Sequence, residues 1–271
     1  MKYLFLAFLA VSLPAQAQAF EVFNLNVFDQ LQGSWDAGFR ERRMAVVAEY
    51  VKEQKPDVVV FQEAIGTAGA ENGGKDSPDA AALRADYPHR MYIHESFGEN
   101  GSSYGYWIGA KQKPRHWIKD GFSFPGGVER KVQGALFENV DGSCLGILSL
   151  HLSYQNSKVR QTEAKWLLDW VKAKEKTCER WLVVGDFNAD ERDPEMKALF
   201  KGNLRSLYRE QKPTIGAFNP IRRIYGNDIK SKTIDWALGR NLEAEASVVL
   251  DTPRNGEWVS DHAGVLVKVG K

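Results

Sequence analysis

Apolar and polar positions alternate in short blocks along this chain, and the clearest block runs from Trp181 to Gly185. An unbroken apolar run that ends in glycine predicts a strand buried on both faces and followed by a turn. Asp186 and Asn188 come directly after it. Two positions apart in extended backbone, their side chains would lean to the same side and could bind one small ligand together. Because such pairs also make ordinary turns, they indicate a functional site only in company with other polar residues.

The N-terminal part of the chain predicts a β-α-β unit. Residues 21–28 alternate like a strand, residues 40–55 carry an apolar stripe at helical spacing, and residues 57–61 have the pattern of a second, buried strand. Asn26 stands near the end of the first strand, and Glu63 follows the second. Crossover rules make these strands parallel, so we expect both side chains at the edge where ligands bind in open α/β sheets.

The rest of the chain predicts many short strands and few helices. Strands are predicted at residues 91–93, 105–110, 132–140, 145–152, 233–238, 244–250 and 263–267, and helices at residues 158–174 and 194–200. Asp141-Gly142 is a hairpin signal between two of these strands. The pattern favours an α/β fold in which two mixed β-sheets pack face to face and are flanked by helices. Such a four-layer α/β sandwich fits better than a Rossmann fold or an eight-unit barrel.

Residues 1–19 have the pattern of a cleaved signal peptide. Lys2 is followed by an apolar stretch too short to span a bilayer, and small residues at alternating positions precede Phe20. An uncleaved anchor or a buried first helix is the alternative. We therefore expect export to a periplasm or out of the cell. Residues 20–271 should form a single catalytic domain, because no Pro/Gly/Ser-rich or charged linker divides them.

The charge of the chain is balanced, with 36 Lys and Arg against 35 Asp and Glu residues. A balanced chain is not typical of proteins that wrap nucleic acid with a strongly cationic surface. Balanced total charge does not exclude a local basic patch.

Two cysteines, Cys144 and Cys178, each stand just before a predicted strand. If the helix between those strands makes a parallel β-α-β unit, both cysteines lie at the same end of the sheet. A stabilising disulfide is then geometrically plausible in an exported protein, and two unpaired thiols are the alternative.

Polar side chains that suit a metal-dependent reaction recur beside the predicted strands. His151 and His262 can transfer protons near neutral pH if carboxylates orient them. Oxygen ligands favour Mg²⁺ or Mn²⁺, whereas zinc would want a cluster of His and Cys. Together these parts indicate phosphoester hydrolysis. The oxygen-bearing candidates are Asn26, Glu63, Asp186, Asn188 and Asp261.

Six short motifs carry these residues: Leu25-Asn26-Val27, Phe61-Gln62-Glu63, Ser149-Leu150-His151-Leu152, Gly185-Asp186-Phe187-Asn188-Ala189-Asp190, Ile234-Asp235-Trp236 and Ser260-Asp261-His262. In order and rough spacing they resemble the endonuclease/exonuclease/phosphatase superfamily. That superfamily includes pancreatic-type deoxyribonucleases, abasic-site endonucleases, bacterial sphingomyelinases and inositol-polyphosphate phosphatases. The resemblance covers essentially the whole chain after the signal peptide, and Gly-Asp-x-Asn together with Ser-Asp-His is highly specific for it.

The resemblance implies a role for each matching residue, beginning with the metal ligands. Glu63 would be the principal ligand, with Asn26 and Asp261 nearby, either directly or through water. His262 would be the general base or a phosphate contact, and Asp235 would orient it as its carboxylate partner.

By the same resemblance, Asp186 and Asn188 would position the attacking water and the phosphate. His151 would be the second catalytic histidine, which stabilises phosphate charge or protonates the leaving oxygen. The pancreatic-type branch gives that histidine a glutamate partner shortly after a Ser-Tyr pair, but here the pair leads into Gly-Tyr. Glu95 and Glu99 lie nearby in the sequence, and neither is assigned as the partner.

The substrate is less constrained than the reaction. Arg130 falls where the deoxyribonuclease branch places an arginine on a DNA phosphate, so an endonuclease acting on DNA is the first expectation. The protein would be a monomer with nucleic acid as its partner and with no obligate protein partner. The alternative is a sphingomyelinase or phospholipase C type enzyme on membrane lipid, because residues 260–265 resemble that branch equally and residues 117–124 carry aromatics that could face a membrane. An inositol-phosphate phosphatase would want more Lys and Arg near the site.

Overall fold

The computed structural model describes residues 20–27, 38–66, 77–97, 103–122, 130–138, 142–223 and 230–270. The predicted signal peptide, residues 1–19, lies outside this part of the chain, as does Glu99. Within the described ranges, no helix has both the length and the apolar composition needed to cross a membrane.

The helices and strands follow the predicted order with small shifts of their ends. The strands are β1 Phe20–Asn26, β2 Val58–Ile65, β3 His89–Phe97, β4 Ser103–Ala110, β5 His116–Phe122, β6 Arg130–Glu138, β7 Cys144–His151, β8 Arg180–Asp186, β9 Arg205–Ser206, β10 Asp235–Arg240, β11 Ala244–Val249 and β12 Gly264–Val269. The α-helices are α1 Phe39–Gln54, α2 Ser157–Lys174, α3 Pro194–Lys201 and the short α4 Pro220–Arg223, and Pro78–Leu83 forms a 3-10 helix.

The strands form two six-stranded sheets. In sheet A the order is β11-β12-β1-β2-β4-β3, and in sheet B it is β5-β6-β7-β8-β10-β9. Each sheet has one parallel pair, β1 with β2 and β7 with β8, and its other pairs are antiparallel. The predicted fold, two mixed β-sheets flanked by helices, is confirmed.

Strand alternation distributes the apolar side chains over three core layers. In β1, Phe23 packs with α1, whereas Val22 lies between the sheets. In β8, Val183 packs with α2 and α3, whereas Val184 lies between the sheets. Both faces of these strands are therefore covered, which explains the continuous apolar run at Trp181–Gly185. Each fully buried Val or Phe contributes about 1.5–3 kcal/mol to folding.

A disulfide and the polar residues lie at opposite ends of sheet B. Cys144, at the start of β7, is bonded to Cys178, just before β8, with their Cα atoms 5.1 Å apart. The predicted bridge is thus confirmed. His151 and Asp186 end the same two strands.

Two strands lie where the sequence pattern predicts none. β5 is an edge strand that pairs with β6, and β9 has two residues only. Short or edge strands lack the two-sided burial that makes a strong apolar pattern. Trp117 of β5 packs against the core between the sheets. Packing against this core explains the aromatic residue at position 117, so contact with a membrane is not needed to explain it.

Candidate active site

The carboxyl ends of the parallel strands bring the predicted site residues together. Asn26 ends β1, and His151 and Asp186 end β7 and β8. Because β10 runs antiparallel to β8, its first residue, Asp235, lies opposite Asp186. All these side chains are buried. The other members of the group are Glu63, which is in β2, and Asn188, Asp261 and His262, which lie in connecting segments.

Asn26 links the two sheets at this site. Its Nδ2 donates a hydrogen bond to Glu63 Oε1 at 3.0 Å and another to Asp186 Oδ2 at 3.1 Å. One amide therefore holds a carboxylate from each sheet. A second bridge lies beside it, where Gln62 Nε2 donates to Ser149 Oγ at 2.9 Å. The relative position of the two sheets is thus fixed by hydrogen bonds at the point where the site forms.

The backbone at Glu63 departs from regular strand geometry. Its φ is 54°, in the left-handed region, which costs a non-glycine residue on the order of 1–3 kcal/mol. The pairing of β2 with β4 shifts register between Phe61 and Ala64 at the same point. A bulge of this kind re-aims a side chain, and here it lets Glu63 accept the hydrogen bond from Asn26.

The segment after β8 is a turn, as the glycine predicts, and not the extended backbone on which Asp186 and Asn188 would lean to the same side. Asn188 has a φ of 48°, and its backbone N–H donates to Asp186 Oδ1 at 2.8 Å. Asparagine tolerates this conformation, and an aspartate two residues earlier can accept from the backbone. Gly185 has a φ of 144°, and a Cβ there would lie 2.0 Å from Leu150 O. Asn188 Nδ2 donates to Leu152 O at 3.0 Å, so its amide nitrogen anchors the chain after His151.

His262 and Asp235 form a short, buried pair. The imidazole Nδ1 lies 2.9 Å from Asp235 Oδ2. Since an ionised carboxylate only accepts hydrogen bonds, Nδ1 carries the proton. The other ring nitrogen, Nε2, lies 3.8 Å from Asp186 Oδ2 and 3.8 Å from Asp261 Oδ1. Burial would lower the pKa of His262, but Asp235 and Asp261 outweigh it and raise this pKa well above the usual value.

His151 occupies the other side of Asp186. Its Nε2 lies 3.5 Å from Asp186 Oδ2 and 3.9 Å from Glu63 Oε1, and its Nδ1 lies 3.8 Å from Glu95 Oε2. These separations are those of ion pairs without direct hydrogen bonds. Burial would lower the pKa of His151, but Glu95, Asp186 and Glu63 raise it to about 9. Without a bound cation, His151 is therefore an imidazolium at neutral pH.

Glu95, in β3, is the carboxylate closest to His151 Nδ1 among the described ion pairs. Its Oε1 accepts hydrogen bonds from Tyr106 Oη at 2.7 Å and from Arg130 Nη1 at 2.8 Å. Burial would raise the pKa of Glu95, but His151 and Arg130 lower it to about 2. The carboxylate beside His151 Nδ1 therefore comes from β3, the strand that pairs with β4, which carries the Ser-Tyr pair. The sequence signal was Glu95 itself, which lies just beyond the predicted strand at residues 91–93.

Arg130 and His151 lie on either side of the same carboxylate, Glu95. The Arg130 side chain is 9% exposed, and its Nε lies 3.7 Å from Glu163 Oε1 in addition to the bond from Nη1 to Glu95. The guanidinium therefore neutralises two buried carboxylates. Its contact with a DNA phosphate stays a prediction.

Glu63 is the natural anchor for a divalent cation. Its Oε1 accepts from Asn26, and its buried Oε2 has no hydrogen-bond partner among the described residues. Burial raises the pKa of Glu63, against the opposing effects of His151 and Asn26, so a cation beside it would favour the ionised form. This oxygen-rich environment fits a hard divalent ion. Separately, Asp186, Asp235 and His262 form a buried group whose ligand-type atoms all lie within 4.8 Å of one another.

Three residues that the sequence did not single out also contact the site. All come from the irregular segment between β9 and β10, where no periodicity marks them. Thr214 Oγ1 accepts from the backbone N–H of Asp235 at 3.1 Å. Asn219 Nδ2 donates to Ser260 O at 2.7 Å, and Arg222 Nη1 donates to Asp261 Oδ2 at 2.9 Å.

Comparison with known proteins places this geometry among related folds. A family model described as "Endonuclease/Exonuclease/phosphatase family" matches residues 23–262. No curated protein matches the chain.

Solved structures share the fold at low sequence identity. Truncated TDP2 from Caenorhabditis elegans is 17% identical with a TM-score of 0.70, and the match covers 93% of this chain and 98% of that one. Sphingomyelinase C from Streptomyces griseocarneus is 18% identical with a TM-score of 0.68, covering 93% and 99%. The mannosyl-6-phosphatase Bt3783 from Bacteroides thetaiotaomicron is 18% identical with a TM-score of 0.68, covering 93% and 100%. Sequence identities this low show a shared fold and do not identify the substrate of this chain.

Proposed function

Because the chain belongs to the endonuclease/exonuclease/phosphatase family, whose members are metal-dependent phosphoester hydrolases, we propose that it is an exported, Mg²⁺-dependent phosphodiesterase that cleaves DNA as an endonuclease. The observation that carries the reaction is the placement of the two imidazoles. His262 Nε2 and His151 Nε2 lie 3.8 Å and 3.5 Å from the same oxygen, Asp186 Oδ2. Two proton-transfer groups thus flank one point, as hydrolysis of a diester needs.

The residues divide the proton transfers between them. Asp235 holds the Nδ1 proton of His262, so once a bound divalent ion had offset the carboxylate charge that raises the pKa of His262, Nε2 would be the atom that accepts a proton from the attacking water. His151, with Glu95 beside its Nδ1, is the imidazole to which we assign the donation of a proton to the leaving oxygen. Asn26 keeps Glu63 and Asp186 at a fixed separation. A divalent ion held by Glu63 would stabilise charge on the phosphoryl oxygens and would offset the carboxylate charge that raises both histidine pKa values.

An exposed aromatic side chain supports nucleic acid as the substrate. Tyr154 is 65% exposed and lies three residues after His151. Among the described residues, it is the one large hydrophobic side chain that is exposed. Bases stack on exposed aromatic rings regardless of sequence, with about 1–3 kcal/mol per base.

Two features support export as part of this proposal. The pattern of residues 1–19 is that of a signal peptide. The disulfide between Cys144 and Cys178 also suits an oxidising compartment.

The experiment is supercoiled-plasmid nicking by residues 20–271 with Mg²⁺, a chelator control, and sphingomyelin vesicles assayed in parallel. We expect nicking that stops in chelator and returns with Mg²⁺ or Mn²⁺. Phosphocholine release without nicking would overturn the DNA proposal in favour of the lipid alternative. Silence on both substrates would point to a phosphomonoester.

A further inference from the structure

The backbone directly after Glu63 is held by side chains from outside β2. Ala64 O accepts a hydrogen bond from Tyr92 Oη at 3.3 Å, and the backbone N–H of Ile65 donates to Asp79 Oδ2 at 2.7 Å. A non-glycine residue keeps a left-handed conformation, as Glu63 does, only where the surrounding structure over-determines it. The two bonds supply such surroundings, and the bond to Asp79 is the shorter.

Asp79 connects three elements through one buried carboxyl group. It lies in the 3-10 helix Pro78–Leu83, and its own backbone N–H donates to Ser77 Oγ at 3.2 Å. Its Oδ2 accepts from Ile65 at the end of β2, and its Oδ1 accepts from Arg40 Nε of α1 at 2.7 Å. The carboxylate therefore ties the end of β2 to a helix on each side of it.

The bond between Asp79 and Ile65 is stronger than the end of a strand requires. A hydrogen bond to an ionised carboxylate is roughly twice as strong as one between neutral groups. Burying that carboxylate carries a desolvation penalty that a single ion pair does not always offset. Its use here indicates that the placement of this backbone matters. Glu63 lies two residues before Ile65, and a metal ligand has to be held to within about 0.5 Å of its working position.

We propose that Asp79 is a positioning residue for the divalent cation: it holds the bulged end of β2 so that Glu63 keeps the conformation that leaves its Oε2 to the ion. This inference rests on the proposed function, because it concerns the metal of the same reaction. Asp79 acts through the backbone between Ile65 and Glu63. Groups that orient a metal ligand in this way affect the affinity for the metal without binding it themselves.

The test measures Mn²⁺ binding directly, by titration calorimetry on protein that a chelator has stripped of metal. We expect Asp79→Ala to weaken Mn²⁺ binding by about 10- to 100-fold, the usual effect of losing a group that orients a metal ligand. Asp79→Asn should weaken it less, because the amide keeps an acceptor for Ile65 N and loses the ion pair with Arg40. Asp86→Asn is the matched control. Asp86 is exposed in the turn that follows the same 3-10 helix, and its replacement should leave Mn²⁺ binding unchanged.

A second variant, Leu83→Ala, separates positioning from a general loss of stability. Leu83 is buried in the same 3-10 helix and packs in the core that contains α1, but its side chain has no polar atom with which to hold β2. We expect Leu83→Ala to lower the free energy of unfolding and to leave Mn²⁺ binding by the folded protein unchanged. Equal weakening of Mn²⁺ binding by Leu83→Ala and Asp79→Ala would assign the effect to stability and overturn the proposal.

The Mn²⁺ affinities of the folded variants decide the remaining outcomes. If folded Asp79→Ala binds Mn²⁺ as tightly as the wild type, Asp79 only anchors the 3-10 helix and the proposal is wrong. If the wild type binds Mn²⁺ but hydrolyses no phosphodiester, the proposed function fails while the affinities of the variants still decide the role of Asp79. A wild type that binds no Mn²⁺ overturns the inference. Should Asp79→Ala lose its folded circular-dichroism spectrum, Asp79→Asn decides, because it should still bind Mn²⁺ more weakly than the wild type.

Discussion

The two histidines of the active site are held in different ways. His262 has a carboxylate partner, Asp235, at 2.9 Å, within hydrogen-bond distance. His151 has Glu95 at 3.8 Å, and that glutamate is itself bound by Tyr106 and Arg130. The first arrangement fixes the position of a proton on one nitrogen. The second keeps an imidazole charged through an electrostatic field without fixing its orientation as tightly.

This difference shows how one site can carry a base and an acid of the same residue type. A base needs a defined tautomer with one nitrogen open, and a short bond at the other nitrogen provides it. An acid needs a proton that stays on at neutral pH, and surrounding carboxylates favour that. Because carboxylates raise the pKa of both histidines, the difference between the two lies in the short bond at His262 Nδ1. The comparison predicts that the two supporting carboxylates contribute unequally to turnover.

Asp235→Asn should have the largest effect. The amide cannot enforce the tautomer of His262, so we expect kcat to fall roughly 10³-fold, within the range for general base catalysis. Asp169→Asn is the control, because Asp169 forms an exposed pair with Lys165 on α2. Plasmid nicking and circular dichroism check the result. A loss below tenfold in a folded protein would contradict the assignment of His262 as the base.

Glu95→Gln should have a smaller effect than Asp235→Asn. Because Glu95 acts at 3.8 Å and Asp186 and Glu63 also support the charge of His151, we expect kcat to fall on the order of tenfold. The basic limb of the dependence of kcat on pH should move to lower pH in the same variant, since His151 would lose its proton at lower pH. Equal losses in the Asp235 and Glu95 variants would remove the distinction between the two histidines.

The pH dependence of stability tests the ion pair of His151 with Glu95. Because the pKa of Glu95 is lowered to about 2, its contribution is full above the ordinary value of 4.5 and is lost as pH falls through about 2. Because the pKa of His151 is raised to about 9, its contribution is full below 6.5 and is lost as pH rises through about 9.

The measurement for this pair is urea unfolding in chelator. The difference in unfolding free energy between wild type and Glu95→Gln should be largest between pH 4.5 and 6.5 and should shrink on both sides. The titrations of Glu95 and His151 together span roughly pH 3 to 9. If the difference in unfolding free energy stayed constant over that range, the pair would not titrate as described.

Replacing the disulfide should change activity least. Cys144 and Cys178 close a loop with a sequence separation of 34 at the end of β7 opposite His151. The double replacement by serine should cost about 3–4 kcal/mol of unfolding free energy by the chain-entropy relation. Turnover at a temperature where both proteins are folded should be unchanged. A parallel loss of turnover would mean that the two ends of sheet B are coupled.

The sequence predicted those parts of the molecule that follow from periodicity and from strand ends. Apolar alternation located most strands and three helices, and the parallel β1–β2 pair placed Asn26 and Glu63 together as expected. The family resemblance of the motifs also paired His262 with Asp235, which the geometry bears out as a contact. The roles of these residues in turnover stay predictions until the variants are measured.

What the sequence left open depends on register and on irregular backbone. Glu95 meets His151 because the pairing of β3 with β4 shifts between His94 and Ser96, and no residue pattern encodes that shift. Arg222 comes from a segment with no helical or strand period, so nothing marked it. Asn188 bends the chain through a left-handed φ that its residue type allows but does not require.

The strand order of the sheets determines the stage of protein synthesis at which the site can form. Sheet B is built from one continuous stretch, from His116 in β5 to Arg240 in β10, whereas sheet A joins both ends of the chain, with Phe20 beside Val269. Contacts this distant in sequence form late during synthesis. Asn26 and His262 belong to those two ends, so a nascent chain has no complete site until its last strand has left the ribosome. Strand order alone would therefore keep an unfinished chain inactive as a hydrolase.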